Sequence, residues 1–440
     1  MTGFNYRKAG EWSGAPAKVR VAGQWTPVGE VVPPGEPGEG GAGLFAADDG
    51  FSDLDWWYTA EAADNVTVET VTNLNATGSG SLRAALDASE SNSTTLIVFE
   101  VGGVLDPSVD HSMRSHGDNV YIAGQTAPSP GIHVIRAGLR IHGTNTIAQH
   151  MTFRPGDDVG SPNQTRGMTF DADAQNCILD HCSLSWAPDT VCDFHGTSGQ
   201  TDRNSVVNSI LAEGLYNSSH HEAPHSYGVL HHEHSTRSAV LGCYFAHCDR
   251  RHPFTRENTT QAWINNYIYN WGSRMYHSTF QSSTPEITYA YTVSDPGPIT
   301  HSTQALTKRD AILYFEGTIS TDSRDDHEDS PTILNEPDHW PSSIDEGTDV
   351  IDTGNDGVAL RDAILPVVGA RPADRDPHDQ RVLDDCINRT GGFIDDETDV
   401  GGYPSYSTTT RSLNPPSTDL GAWLQHYTAE VETGESNPLH

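Results

Sequence analysis

The residues best suited to chemistry fall between Asn176 and Arg256. The stretch opens with Asn176-Cys177-Ile178-Leu179-Asp180-His181-Cys182-Ser183-Leu184-Ser185-Trp186 and closes with Arg251-His252-Pro253-Phe254-Thr255-Arg256. Between them lie Asp189 and Asp193, four apart, and the run His225-Ser226-Tyr227-Gly228. Carboxylates at that spacing could hold a hard cation. Paired guanidiniums could grip a carboxylate. Together they suit an acidic sugar polymer. Two histidine clusters, at 220–225 and 231–234, could bind a transition metal but read more simply as hydrogen-bonding imidazoles lining a groove. Asp180-His181 reads as a structural pair inside a stack of strands.

Those side chains need a scaffold, and the chain supplies a loose repeat. Short apolar strands start near Asn119, Asn145, Asn176, Asn204, Ser238 and Ala262, at spacings of 24 to 34 residues. Two columns of like residues align across them: Ile147, Ile178, Val206, Val240, Ile264, and Met151, Cys182, Ile210, Tyr244, Ile268. Stacked apolar columns are what a parallel β-helix requires. Aromatics at alternating positions in 262–271 could leave half of their number facing out to stack on sugars. Ser81 to Leu86 predicts an early helix, and Val358–Leu365, Gln380–Cys386 and Leu420–Val431 predict three late ones. The expected organisation is an N-terminal β-hairpin attachment module (1–30), a Gly/Pro linker (31–44), a β-helix (45–318) and an acidic loop with a C-terminal cap (319–440).

Composition narrows the partners. The 440 residues carry a formal charge of −35, with 3 Lys against 22 Arg. Such a surface repels nucleic acid and anionic membrane, and no apolar run is long enough to span a bilayer. An acidic, Lys-poor chain fits work in concentrated salt, where the Debye length falls to ~3 Å at 1 M. Five of the six cysteines sit in apolar runs without zinc-ligand spacing, which predicts buried free thiols. No secretory signal is visible at Met1 to Gly10.

Several motifs in order carry a resemblance: Gly80-Ser81-Leu82-Arg83-Ala84-Ala85-Leu86, Gly124-Gln125-Thr126-Ala127-Pro128, Arg154-Pro155-Gly156-Asp157, Leu179 to Trp186, His225-Ser226-Tyr227-Gly228, Arg251-His252-Pro253, Asn270-Trp271-Gly272, and Arg375-Asp376 with Asp379-Gln380-Arg381. From about 78 to about 400 the chain resembles the pectate lyase family. That resemblance implies an all-β, right-handed parallel β-helix with a small N-terminal β module and a partly helical C-terminal segment. It implies β-elimination on a uronic-acid glycan. Arg251 matches the family's base and Arg256 its second guanidinium. Asp189 and Asp193 match two calcium ligands, and Glu222, His225 and Tyr227 fall in the substrate-binding region.

Three positions depart from the family pattern. A further acidic ligand is replaced by Gly167, an acid after Asp189 by Thr190, and a substrate-binding Lys by Glu222. The leader Val19-Arg20-Val21-Ala22-Gly23-Gln24-Trp25 resembles those of tailed-virus structural proteins. The expectation is therefore a virion-associated, tail-spike-like homotrimer, docked to tail or baseplate proteins, that binds an acidic cell-surface polysaccharide and cleaves it if the eroded site still works. The alternative is a free, extracellular, calcium-dependent lyase of a high-salt organism.

Overall fold

The structure, a computed structural model, describes residues 50–107, 112–157, 165–196, 199–301 and 357–439, plus the backbone of short strands outside these ranges. Three long parallel sheets wind around one core. Sheet A contains Met151–Arg154, Ser183–Ser185, Ile210–Ala212, Tyr244–Ala246 and Tyr267–Tyr269; sheet B contains Gly138–Ile141, Met168–Phe170, Thr190–Phe194, Tyr227–His231 and Phe254–Thr255; sheet C contains Thr146–Gln149, Ile178–Asp180, Ser205–Val207, Ser238–Leu241 and Thr260–Ile264. The chain runs C, A, B and repeats, so each strand pairs in parallel with the strand one turn away. This is the parallel β-helix the repeat predicts.

The corners explain how such short strands stay in step. From Thr146 to Asp295 each passage from sheet C to sheet A uses one left-handed residue: His150, His181, Asn208, Gly242, Asn265 and Tyr291, with φ between 45° and 62°. Asn tolerates that region better than most residues, and Asn119, Asn145 and Asn176 have the same duty at the corner entering sheet C. There Asn145 donates to Asn119 Oδ1 (2.7 Å) and Asn176 donates to Asn145 Oδ1 (2.7 Å), forming a side-chain ladder up the coil.

The core columns differ by one residue in places from the sequence alignment. The inward column of sheet C is Ala148, Leu179, Val206, Val240, Trp263 and Tyr289. Ile178 pairs with Ser205 and Val240 with Trp263, so Ile178 and Ile264 leave the expected column. Ile210 and Tyr244 do pair, but Tyr244 is followed by Tyr267, not Ile268. Corners of unequal length shift the register, and each one-residue shift exchanges the inner and outer faces. Trp263, Tyr267, Tyr269, Trp271 and Tyr276 are all buried, so none of them is the exposed sugar platform that alternation suggested.

Helices roof two of the three outer faces. On sheet C, Ile147, Ile178 and Val207 pack against Trp57 of α1 (Asp55–Ala62) and against Leu420, Trp423 and Leu424 of the C-terminal helix. On sheet A, Ile210, Tyr244 and Tyr267 pack against Leu360 and Ile364 of the helix Val358–Ile364 and Val382, Leu383 and Cys386 of the helix Pro377–Asn388. The early helix forms over Leu82–Ser89, its amide at Ala84 capped by Ser81 Oγ. All six cysteines are free and buried. In the leader, Lys18–Val21 pairs antiparallel with Gln24–Pro27; residues 31–44 lie outside the described residues. Among the described residues no helix is long and apolar enough to cross a membrane.

Candidate active site

Sheet B is different. Its outward register column runs Arg140, Thr169, Asp193, Leu230, Phe254, His277, and among the described residues no apolar cluster covers it. The chemistry-bearing side chains converge on this face.

Asp189 stands at the corner entering the strand Thr190–Phe194, and Asp193 lies within that strand. Arg166, one turn earlier, bridges them: Nη2 lies 2.8 Å from Asp189 Oδ2 and Nε lies 2.7 Å from Asp193 Oδ2. The Asp193 side chain is fully buried (0%), whereas Arg166 keeps 21% of its side chain exposed. Imidazoles complete the surroundings. His225 Nε2 is 3.2 Å from Asp189 Oδ1, His232 Nε2 is 3.5 Å from Asp193 Oδ1, and His195 Nδ1 is 3.6 Å from Asp193 Oδ2. Burial would raise both carboxyl pKa values, but Arg166 and these imidazoles outweigh it. Asp189 is lowered and Asp193 is held well below the usual carboxylate range.

Arg251 sits beside this cluster in a left-handed backbone conformation (φ 72°). Its guanidinium carbon lies 4.0 Å from the Tyr227 ring centroid and 5.3 Å from that of Phe254, a cation–π cradle. Nη1 donates to Thr190 Oγ1 (2.9 Å), and that hydroxyl donates in turn to Asp189 Oδ1 (3.1 Å). Burial brings the Arg251 pKa down to about 10, against the upward pull of Asp189 and Tyr227. Arg256 flanks the other side of Phe254, 5.9 Å from the ring centroid, and donates to Glu233 Oε1 (2.9 Å).

The run His225 to Gly228 enters the next strand of sheet B. The His220, His225 and Tyr227 rings follow one another at 3.8 and 3.7 Å, leading to Arg251. Glu222 is exposed on the loop beside them, its backbone N–H donating to His220 Nδ1 (3.1 Å). The structure thus brings Asp189, Asp193, His225, Tyr227, Arg251 and Arg256 onto one face and leaves Glu222 at its edge.

Sequence reasoning missed Arg166, Arg250 and Phe254. Arg250 lies over Tyr227 at 4.6 Å and donates to its hydroxyl. The signal for Arg166 was its place next to Gly167, where an expected acid is missing. The second histidine cluster divides: His231 points inward, stacked on Phe194 at 4.4 Å with its pKa pushed down by burial to about 3, while His232 points out toward Asp193. Asp180 and His181 pair at 2.7 Å on the corner between sheets C and A, away from this face. Among the described residues, three groups could hold a metal: Asp189, His220 and His225; Asp193, His195 and His232; His150, His181 and Glu432. All mix imidazole with carboxylate.

No family model matches the chain. Among curated proteins it is similar to the probable pectate lyase C of Emericella nidulans, 30% identical over 347 residues, covering 76% of this chain and 75% of that protein. The probable pectate lyase C of Aspergillus terreus is also 30% identical over 347 residues, covering 76% of both. Among solved structures, a pectate lyase bound to hexasaccharide aligns at TM-score 0.47 and 14% identity over 76% of this chain and 99% of that one. Shared sequence along three quarters of both chains establishes that this protein belongs to the pectate lyase family.

Proposed function

We propose that the protein is a free polysaccharide lyase that cleaves a uronate polymer by β-elimination on the outer face of sheet B. The observation that carries this reading is the placement of Arg251, stacked on the Tyr227 ring and linked through Thr190 to Asp189 on sheet B, where burial lowers its pKa to about 10. A neutral Arg251 takes the proton from the ring carbon next to the uronate carboxylate. The electron pair left behind forms a ring double bond. The glycosidic oxygen on the neighbouring carbon leaves and takes a proton from water. Arg256 holds the carboxylate of an adjoining sugar, with Tyr227 and His225 forming the floor.

The family resemblance implies calcium at Asp189 and Asp193, but this donor set does not fit it. Calcium takes six to eight oxygen ligands; among the described residues two carboxylates are already ion-paired to Arg166 and otherwise meet the Thr190 hydroxyl and imidazole nitrogens. No step is therefore routed through calcium. The similar proteins are named as lyases, which favours a free enzyme over a tail spike. Attachment through residues 1–30, virion partners and a trimer rest on the leader's sequence alone. The charge of −35 supports work in concentrated salt.

The test is ultraviolet absorbance of the unsaturated sugar end, followed on pectate, alginate and related uronans at high salt. Product formation that Arg251→Ala removes supports the reading. Absence of product on every uronan, at every pH and with every divalent ion, overturns it.

A further inference from the structure

We propose that Arg166 is the resident cation of this site, taking the place a metal would occupy, so that the protein receives an acidic sugar without calcium. The inference rests on sheet B being a uronate-binding face.

Three observations carry it. First, Asp189 and Asp193 are largely withdrawn from water, with side-chain exposures of 10% and 0%. Two ionised carboxylates in one such site repel each other unless a cation lies between them. Arg166 supplies that cation through ion pairs of 2.8 and 2.7 Å, one to each. A divalent ion there would have to displace the guanidinium or share the site with it. Second, no further carboxylate can enter at the neighbouring position. A Cβ on Gly167 would stand 2.7 Å from the backbone oxygen of Val191, so even the first atom of an acidic side chain needs the backbone to move. Third, apart from the Thr190 hydroxyl on Asp189, the side chains facing the pair among the described residues are mainly imidazoles: His225, His232 and His195. Imidazole is a poor substitute for oxygen around a hard cation.

Arg166 is also placed to act on a ligand. Its closest approaches to the two aspartates use Nη2 and Nε. A guanidinium offers a planar fork that matches a carboxylate, and about a fifth of this side chain is exposed (21%) while it holds the Asp189–Asp193 pair beside Arg251. The ligand class is a uronate oligosaccharide whose carboxylate lies against Arg166, which withdraws electron density from the carboxylate and so acidifies the proton that Arg251 removes.

The experiment is calorimetry on the full-length protein, stripped with EDTA and held in 1 M salt so that surface acids do not gather calcium unspecifically. Calcium alone is titrated first, then trigalacturonate, each into wild type, Arg166→Ala and Arg166→Lys. Wild type should show no saturable calcium heat, and its trigalacturonate affinity should be the same in EDTA and in millimolar calcium. Arg166→Ala should acquire a calcium isotherm and bind the sugar at least about tenfold more weakly in EDTA, with calcium restoring part of the loss. Arg166→Lys, which keeps the charge and guards against a folding defect, should remain calcium-silent. Saturable calcium binding by wild type overturns the proposal, as does an Arg166→Ala protein that folds and binds sugar normally in EDTA. The calcium arm stands even when trigalacturonate is the wrong sugar; a wild type that cleaves no uronan at all counts against the proposed function and not against Arg166.

Discussion

The molecule contains the same charge triad twice. On sheet A, Arg154 meets Asp376 at 2.9 Å and Asp379 at 2.8 Å; on sheet B, Arg166 meets Asp189 and Asp193 at 2.8 and 2.7 Å. The difference is the cover. The first triad lies under the helix Pro377–Asn388, with Asp376 capping that helix through the His378 and Asp379 amides. Its three side chains are 1%, 4% and 7% exposed, and burial together with Asp376 pushes the Asp379 pKa up to about 6. Among the described residues no helix covers the second. There imidazoles assist the guanidinium, both carboxyls are held low, and the cation keeps an open edge. One guanidinium with two carboxylates is thus a clamp between elements when roofed, and a ligand-facing site when bare.

That contrast can be broken in order of expected effect. Arg154→Ala should be the most damaging to folding, because it leaves two buried carboxylates without a partner; a loss of about 3–5 kcal/mol is expected, read as a lowered denaturant midpoint. Arg251→Ala should spare the midpoint but lower kcat by roughly 10² to 10⁴-fold, the range of a lost general base. A variant as unstable as Arg154→Ala would show that Arg251 is structural.

The pH profile sharpens the same point. Arg251 is active when neutral and its pKa is depressed to about 10, so kcat/KM should rise about tenfold per pH unit through neutrality and level off near that value. A rate that falls as pH rises through 8 would contradict Arg251 as base. Arg256→Ala should have the smallest effect on folding, under about 1 kcal/mol, since its pair with Glu233 is solvent-exposed; its consequence should appear as a higher KM with kcat nearly unchanged.

Much of this was legible in the chain. Strand spacing, the apolar columns and the family motifs revealed the coil, and the motifs between Leu179 and Arg256 pointed to Asp189, Asp193, His225, Tyr227, Arg251 and Arg256, which the structure brings onto one face. Register was not legible, because corners one residue longer or shorter exchange inside for outside, as at Ile178 and Ile264. The burial of Tyr269 was hidden too, because alternation shows two faces but not that a distant helix covers the outer one, whereas Trp271 packs into the core of the coil itself. Arg166 was hidden because it lies in a polar corner without periodicity and meets partners on the next turn. Only the absence of an acid at Gly167 hinted that another charge was needed there.

The measurement that bears most directly on the open triad is unsaturated-product formation by EDTA-stripped wild type on polygalacturonate at alkaline pH. With Arg166 as the resident cation, the rate should be steady and unchanged by added calcium. A rate that is zero in EDTA and appears only with calcium would show that a metal, and not Arg166, supplies the cation of this site.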